Sequence, residues 1–85
     1  MNNTLLTPER TSYLKELFPE LSETQVLCLF YYSLGFPSKR ISRLMKCNAQ
    51  TVQNNLQKSK DFLYLDKVSD LKTVFLIRLL FLTNH

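Results

Sequence analysis

Glycine occurs once in this 85-residue chain and proline three times. That leaves too few turn-formers for a barrel or sandwich of short strands, and it favours helices. Histidine also occurs once, at position 85, and the two cysteines, Cys28 and Cys47, form no C-x-x-C pair. The usual zinc spacings and any Ser/His or Cys/His catalytic set are thereby excluded. No paired carboxylates fall on one helical face, and a single glycine cannot build a Gly-rich phosphate loop. The chain is therefore expected to be neither an enzyme nor a holder of metal or cofactor. Its cysteines read as reduced, small apolar side chains of a cytoplasmic protein.

Long apolar runs are missing too. Val74 to Ile77 is interrupted by Arg78 before Leu79 to Leu82 resumes, far short of the ~20 residues of a membrane span. The opening MNNTLLTPERT lacks the charged-then-apolar layout of a signal peptide. No membrane partner is expected.

Acid is absent from the middle of the chain. Between Thr24 and Lys60 there is no Asp or Glu, while Lys39, Arg40, Arg43, Lys46, Lys58 and Lys60 all fall there. The carboxylates lie outside, at Glu9, Glu16, Glu20 and Glu23 and again at Asp61, Asp66 and Asp70. The formal charge of +4 is modest, but its concentration points to a polyanion, because displacing condensed counterions from phosphates is favourable.

What is present suits a small helical domain. Hydrophobic residues make up 45% of the chain and aromatics 12%, enough for a real core. A domain of this size is marginal by surface-to-volume scaling, and pairing is a common remedy. Thr7-Pro8-Glu9 predicts an N-cap, a proline at the first helical position and an acid in the first turn. A short helix over roughly residues 8–18 follows, with Tyr13, Leu14, Leu17 and Phe18 apolar and Pro19 stopping it.

Ser22 and Gln25 predict a capping box, with Leu21 and Val26 as a hydrophobic staple. Val26, Leu27, Phe30, Tyr31 and Leu34 form the expected stripe, ended by Gly35 at a left-handed position and by Pro37. Ser38 is the expected cap of a third helix, with Ile41, Leu44 and Met45 inward. After an apolar Cys47 in the turn, Asn48 caps a fourth. In that helix Val52, Leu56 and Leu63 point inward with either Ser59 or the stem of Lys60, and Thr51, Gln53, Asn54, Gln57 and Lys58 point away.

Ser69-Asp70 caps a last helix in which nine of the twelve residues from Leu71 to Leu82 are apolar. A helix so apolar around its circumference cannot keep one face in water. One side is expected on its own domain and the other on a second subunit, with Leu71, Val74, Phe75, Arg78, Leu79 and Leu82 as the dimer interface.

Glutamine and asparagine donate and accept together, and both bind adenine N6 and N7 in a bidentate manner. Gln53, Asn54 and Gln57 are accordingly the candidate base readers. Lys39, Arg40, Arg43, Lys46, Lys58 and Lys60 are the candidate phosphate contacts.

From Leu21 to about Leu65, without a gap, the chain resembles the LuxR/GerE-type helix-turn-helix regulators. The likeness is carried by Leu21-Ser22, Val26-Leu27, Gly35, Lys39, Ile41, Thr51-Val52 and Leu56. It implies an all-α fold, a four-helix LuxR-type domain over 20–85, with 1–19 as a short extra N-terminal helix. It also implies a third helix that reads DNA and a fourth that makes the dimer contact. Base-reading positions after the Thr-Val pair fall on Gln53, Asn54 and Gln57, and phosphate-holding positions on Lys39 and Thr51, with Lys58 beside them. The chain departs from the family at Gln25 where an acid is usual, at Cys47 in the turn and at Lys60 where an apolar residue is expected. Amides also replace the family's basic residues on the recognition face.

The implied function is a homodimeric transcription regulator on double-stranded DNA at a pseudo-palindromic site. The alternative from another class is a small antagonist or adaptor. It would heterodimerise with a LuxR-type regulator through the last helix, or touch RNA polymerase.

Overall fold

The computed structural model describes residues 6–82, with the side chain of Leu82 outside the description. Within them the chain is all-α. Five helices follow one another: α1 (Pro8–Leu17), α2 (Glu23–Ser33), α3 (Ser38–Met45), α4 (Ala49–Phe62) and α5 (Asp70–Leu82), with no strand among the described residues.

α2 touches all four other helices. α1 and α5 pack on each other, as do α3 and α4; α1 meets neither α3 nor α4, and α3 does not meet α5. α2 thus stands between two helix pairs, bridged again where α4 meets α5. Its burial is correspondingly broad, taking in Gln25, Val26, Cys28, Leu29 and Tyr31. The expected single stripe is too narrow, and Leu34 at its end is half exposed.

Local chemistry explains the helix starts. Thr7 Oγ1 accepts the Arg10 N–H at 3.2 Å, with Pro8 in the first turn. Ser22 Oγ accepts from the Gln25 N–H and Gln25 Oε1 from the Ser22 N–H, so both arms of the capping box form. Asn48 Oδ1 accepts the Thr51 N–H at 2.7 Å. α3 differs from expectation: Pro37 is its N-cap and no side chain caps it. Ser38 lies one residue inside, and its hydroxyl serves α4 instead.

The ends of α2, α3 and α4 share one device. In each, a left-handed residue ends the helix and two amides fold back on the last carbonyls, the Schellman arrangement. At α2 the Gly35 N–H donates to Tyr32 O and the Phe36 N–H to Tyr31 O, and the Phe36 and Tyr31 rings stack at 5.8 Å. Lys46 and Cys47 do the same for α3, donating to Arg43 O and Ser42 O. Tyr64 and Leu65 do it for α4, donating to Asp61 O and Lys60 O. Gly35 has φ +91°, whereas Lys46 and Tyr64 hold φ +56° with side chains attached.

The core gathers Leu14, Leu17 and Phe18 from α1 and its end, α2's inward residues, Ile41, Val52 and Leu56, and Leu71 and Phe75 from α5. Phe18 and Phe75 stack at 5.9 Å. Between the two alternatives in α4, Ser59 is the buried one, its hydroxyl donating to Asn55 O at 2.8 Å. A serine satisfied by its own helix can be buried without an unpaired polar group, whereas Lys60 covers its stem but keeps its ammonium on Asp61 at 3.0 Å. Cys28 is fully buried, and burial, aided by Cys47, pushes its thiol up to about 11.

α5 turns part of the interface expected from its sequence into the chain's own core; the side chain of Leu82, also expected there, lies outside the described residues. Leu71 and Phe75 are buried in the chain's own core, and Val74 and Leu79 pack against it. Arg78 is bound inward: its guanidinium makes a two-pronged pair with Glu20 at 2.8 and 2.6 Å, donates to Leu17 O at 2.9 Å and lies 4.6 Å from the Phe18 ring centre. The exposed large apolar residues of α5 are Leu76, Ile77, Leu80 and Phe81. An apolar helix places its best-packing side inward, and the phase of that side cannot be read where every side is apolar.

Two stability predictions follow from these contacts. With nothing within 4 Å of an added Cβ at Gly35, Gly35→Ala should cost about 1 kcal/mol through backbone strain alone, while Lys46→Gly and Tyr64→Gly should each gain up to about 1 kcal/mol. Urea midpoints of the three variants check both signs. The Arg78 hydrogen bonds hold the Glu20 carboxyl below its ordinary range, so this pair stabilises the fold at neutral pH. Its contribution is lost as pH falls through that depressed value and Glu20 takes up a proton. Glu20→Gln should lower the melting temperature at pH 7 and shrink the difference between pH 7 and pH 3; an undiminished difference would assign the acid sensitivity to other carboxylates.

Candidate nucleic-acid interface

α3 and α4 are joined by three residues, Lys46, Cys47 and Asn48. The length matches a helix-turn-helix connection. Lys46 turns the chain by its left-handed backbone, Cys47 packs partly buried against the core, and Asn48 opens α4. Ile41 and Ser42 on one helix and Val52, Leu56 and Ser59 on the other are the inward sides. Their burial fixes what remains outside.

Gln53, Asn54 and Gln57 are all exposed, as the periodicity of α4 requires. Two are held by neighbours. Asn54 Oδ1 accepts from Gln50 Nε2 at 3.0 Å, and Gln53 Nε2 donates to Ser38 Oγ at 2.5 Å, linking the start of α3 to the middle of α4. Each keeps unused capacity: an amide has two donors and an acceptor oxygen with two lone pairs. Gln50 was not singled out from sequence, yet it lies three residues before Gln53 and seven before Gln57 and is exposed. Helical spacing alone was enough signal to include it. The resulting outward row is Gln50, Gln53, Asn54 and Gln57.

The cations divide into three groups. Lys39, Arg43, Lys46 and Lys58 are exposed and make no ion pair among the described residues. Arg40 is exposed but rests over the Phe36 ring at 4.1 Å, which restricts its reach while leaving its charge on the surface. Lys60 is largely buried as a side chain and paired with Asp61, so its charge is already answered within the chain. Thr51 is half-buried, and its hydroxyl donates to Asn48 Oδ1 at 3.0 Å. Its only O–H proton is thus committed to the helix cap.

The arrangement can present amides to a row of hydrogen-bonding edges and four or five positive charges to an adjacent polyanion. Among the described residues no cluster of His, Cys, Asp and Glu could hold a metal ion, and no described helix is long and apolar enough to cross a membrane. The chain matches no protein-family model, no curated protein and no solved structure.

Titrating duplex affinity against salt separates these cations. Lys39→Ala, Arg43→Ala and Lys58→Ala should each make the slope of log affinity against log salt shallower by about one. Lys60→Ala should leave the slope unchanged because Asp61 already neutralises it; a full unit lost there would mean the pair opens on binding.

Proposed function

We propose that this chain is a sequence-specific, duplex-DNA-binding transcription regulator of the LuxR/GerE-like helix-turn-helix kind, acting as a homodimer on a pseudo-palindromic site. The observation that carries it is the outward amide row of α4 directly after a three-residue turn, beside the cationic surface of α3. A helix entering a major groove needs hydrogen-bonding side chains on its outer face and phosphate contacts beside it to set its orientation. Here α3 supplies most of the positive charge and α4 the amides, so holding and reading are divided between two helices.

Amides favour A·T over G·C steps, since Gln and Asn match the adenine N6/N7 pair. Gln53 and Asn54 are pre-aligned by Ser38 and Gln50, which lowers the ordering cost of a bidentate contact. Two recognition helices reading a palindrome must sit ~34 Å apart along the duplex.

A heterologous protein partner is the second reading, favoured by the exposed apolar face of α5. A gel shift with purified protein divides the two: retarded duplex at moderate salt supports the regulator, and no retardation refutes it. Selection from a random duplex pool then tests base preference and half-site symmetry together. On the selected site Gln53→Ala should cost ~1–3 kcal/mol, and on random duplex far less. Equal losses on both would remove Gln53 from base reading.

A further inference from the structure

α3 begins without using its first serine. Pro37 occupies the N-cap and no side chain caps the helix, so Ser38 is spared the duty its residue type usually performs. Its hydroxyl reaches fifteen residues along the chain instead, where Ser38 Oγ accepts from Gln53 Nε2 at 2.5 Å. Among the described residues no other hydrogen bond joins a side chain of α3 to a side chain of α4. A bond between two side chains at the surface adds little to folding, so stability does not account for it.

The contact also sets which way the Gln53 amide faces. A primary amide carries two N–H donors on its nitrogen and a carbonyl oxygen with two lone pairs. With one N–H spent on Ser38, Oε1 and the second N–H are left, and no described residue takes them. Adenine N6 and N7 require an oxygen and an N–H side by side, which is the pair that remains. The reverse orientation, with the Ser38 proton donated to Oε1, would turn N–H donors outward and suit guanine N7 and O6. One side chain would then read a different base.

We propose that Ser38 is a positioning residue for base reading. By holding one Gln53 N–H while the chain contacts duplex DNA, it makes Gln53 an adenine reader and disfavours guanine at that step. This role rests on the DNA reading proposed above and lies outside the recognition helix.

The place of Ser38 on α3 gives the contact its value. Lys39 follows directly, exposed and without an ion pair among the described residues. A phosphate held by Lys39 would fix Ser38 relative to the DNA backbone, and through Ser38 the Gln53 amide. The reader is thereby tied both to α4, which carries it, and to the phosphates that α3 holds. An orientation set before contact need not be paid for during it. Gln50 and Asn54 differ in this respect: their bond at 3.0 Å joins two residues of α4 and refers neither to α3.

Selection from random duplexes supplies the site for the test, and Gln53→Ala identifies the step whose preference relaxes. Adenine is expected there. Affinity is then measured on that site and on one carrying guanine at the same step. Ser38→Ala should lower the ratio of the two affinities about three- to tenfold, the scale of one hydrogen bond. Ser38→Thr, which keeps the hydroxyl, should restore it. With Gln53→Ala already present, Ser38→Ala should change the ratio no further, because the two residues act as a unit. The urea midpoint of Ser38→Ala should match the wild type, since Ser38 caps nothing.

Guanine at the Gln53 step, an unchanged ratio in Ser38→Ala, or the same loss of ratio when Gln53 is already alanine would each overturn the role of Ser38 and leave DNA binding standing. A lowered urea midpoint with equal losses on both duplexes would also overturn it, marking Ser38 as structural. Failure to retard any duplex would overturn the regulator itself, and the positioning role with it.

Discussion

The burial of α2 is the constraint on which the other elements depend. Its sequence ETQVLCLFYYS carries almost no charge, and a helix of that kind is stable only when other helices exclude water from most of its circumference. Four neighbours do so, in two pairs that meet each other only where α4 touches α5. The division is structural first and chemical second. The amide row and the acid-free group of cations belong to the α3–α4 pair and its turn, whereas most of the exposed large apolar residues lie on the α1–α5 pair and the end of α2, Phe62 and Tyr64 at the end of α4 being the exceptions.

That separation would let two contacts coexist on 85 residues. A polyanion docking against α3 and α4 does not compete for the surface of α5, and a partner on α5 does not cover the amide row. The Glu20–Arg78 pair supports the arrangement from behind, tying α5 to the corner between α1 and α2 through a carboxylate, a carbonyl and a ring. The orientation of α5, and with it the face presented outward, depends on this contact as well as on the Phe18–Phe75 stack.

The turn between α3 and α4 combines local strain with positional value. A left-handed lysine is unfavourable by comparison with glycine, yet Lys46 occupies that position between the cationic helix and the amide helix. Tyr64 shows the same backbone at the end of α4 with a side chain 93% exposed, and the present contacts assign it no further duty. At Gly35, by contrast, residue type and backbone agree.

How much was legible in the sequence follows from the range of each interaction. Helix starts and stops rest on contacts three to five residues apart, and Thr7, the Ser22–Gln25 box, Gly35 and Asn48 announce them from composition and spacing. The outward position of Gln53, Asn54 and Gln57 was equally legible, because α4 alternates clearly between apolar and polar sides. The chain by itself therefore determined an all-helical architecture, most of its punctuation and the exposure of its amide face.

Tertiary structure decided the rest. It chose Ser59 over Lys60 for the core, gave the Ser38 hydroxyl to Gln53, left Tyr13 and Leu34 exposed, and turned Leu71, Phe75 and Arg78 inward. These choices have a common physical reason. Where a helix is apolar on every side, as α5 is, periodicity carries no phase, and only the shapes and charges of distant neighbours select the face that is buried.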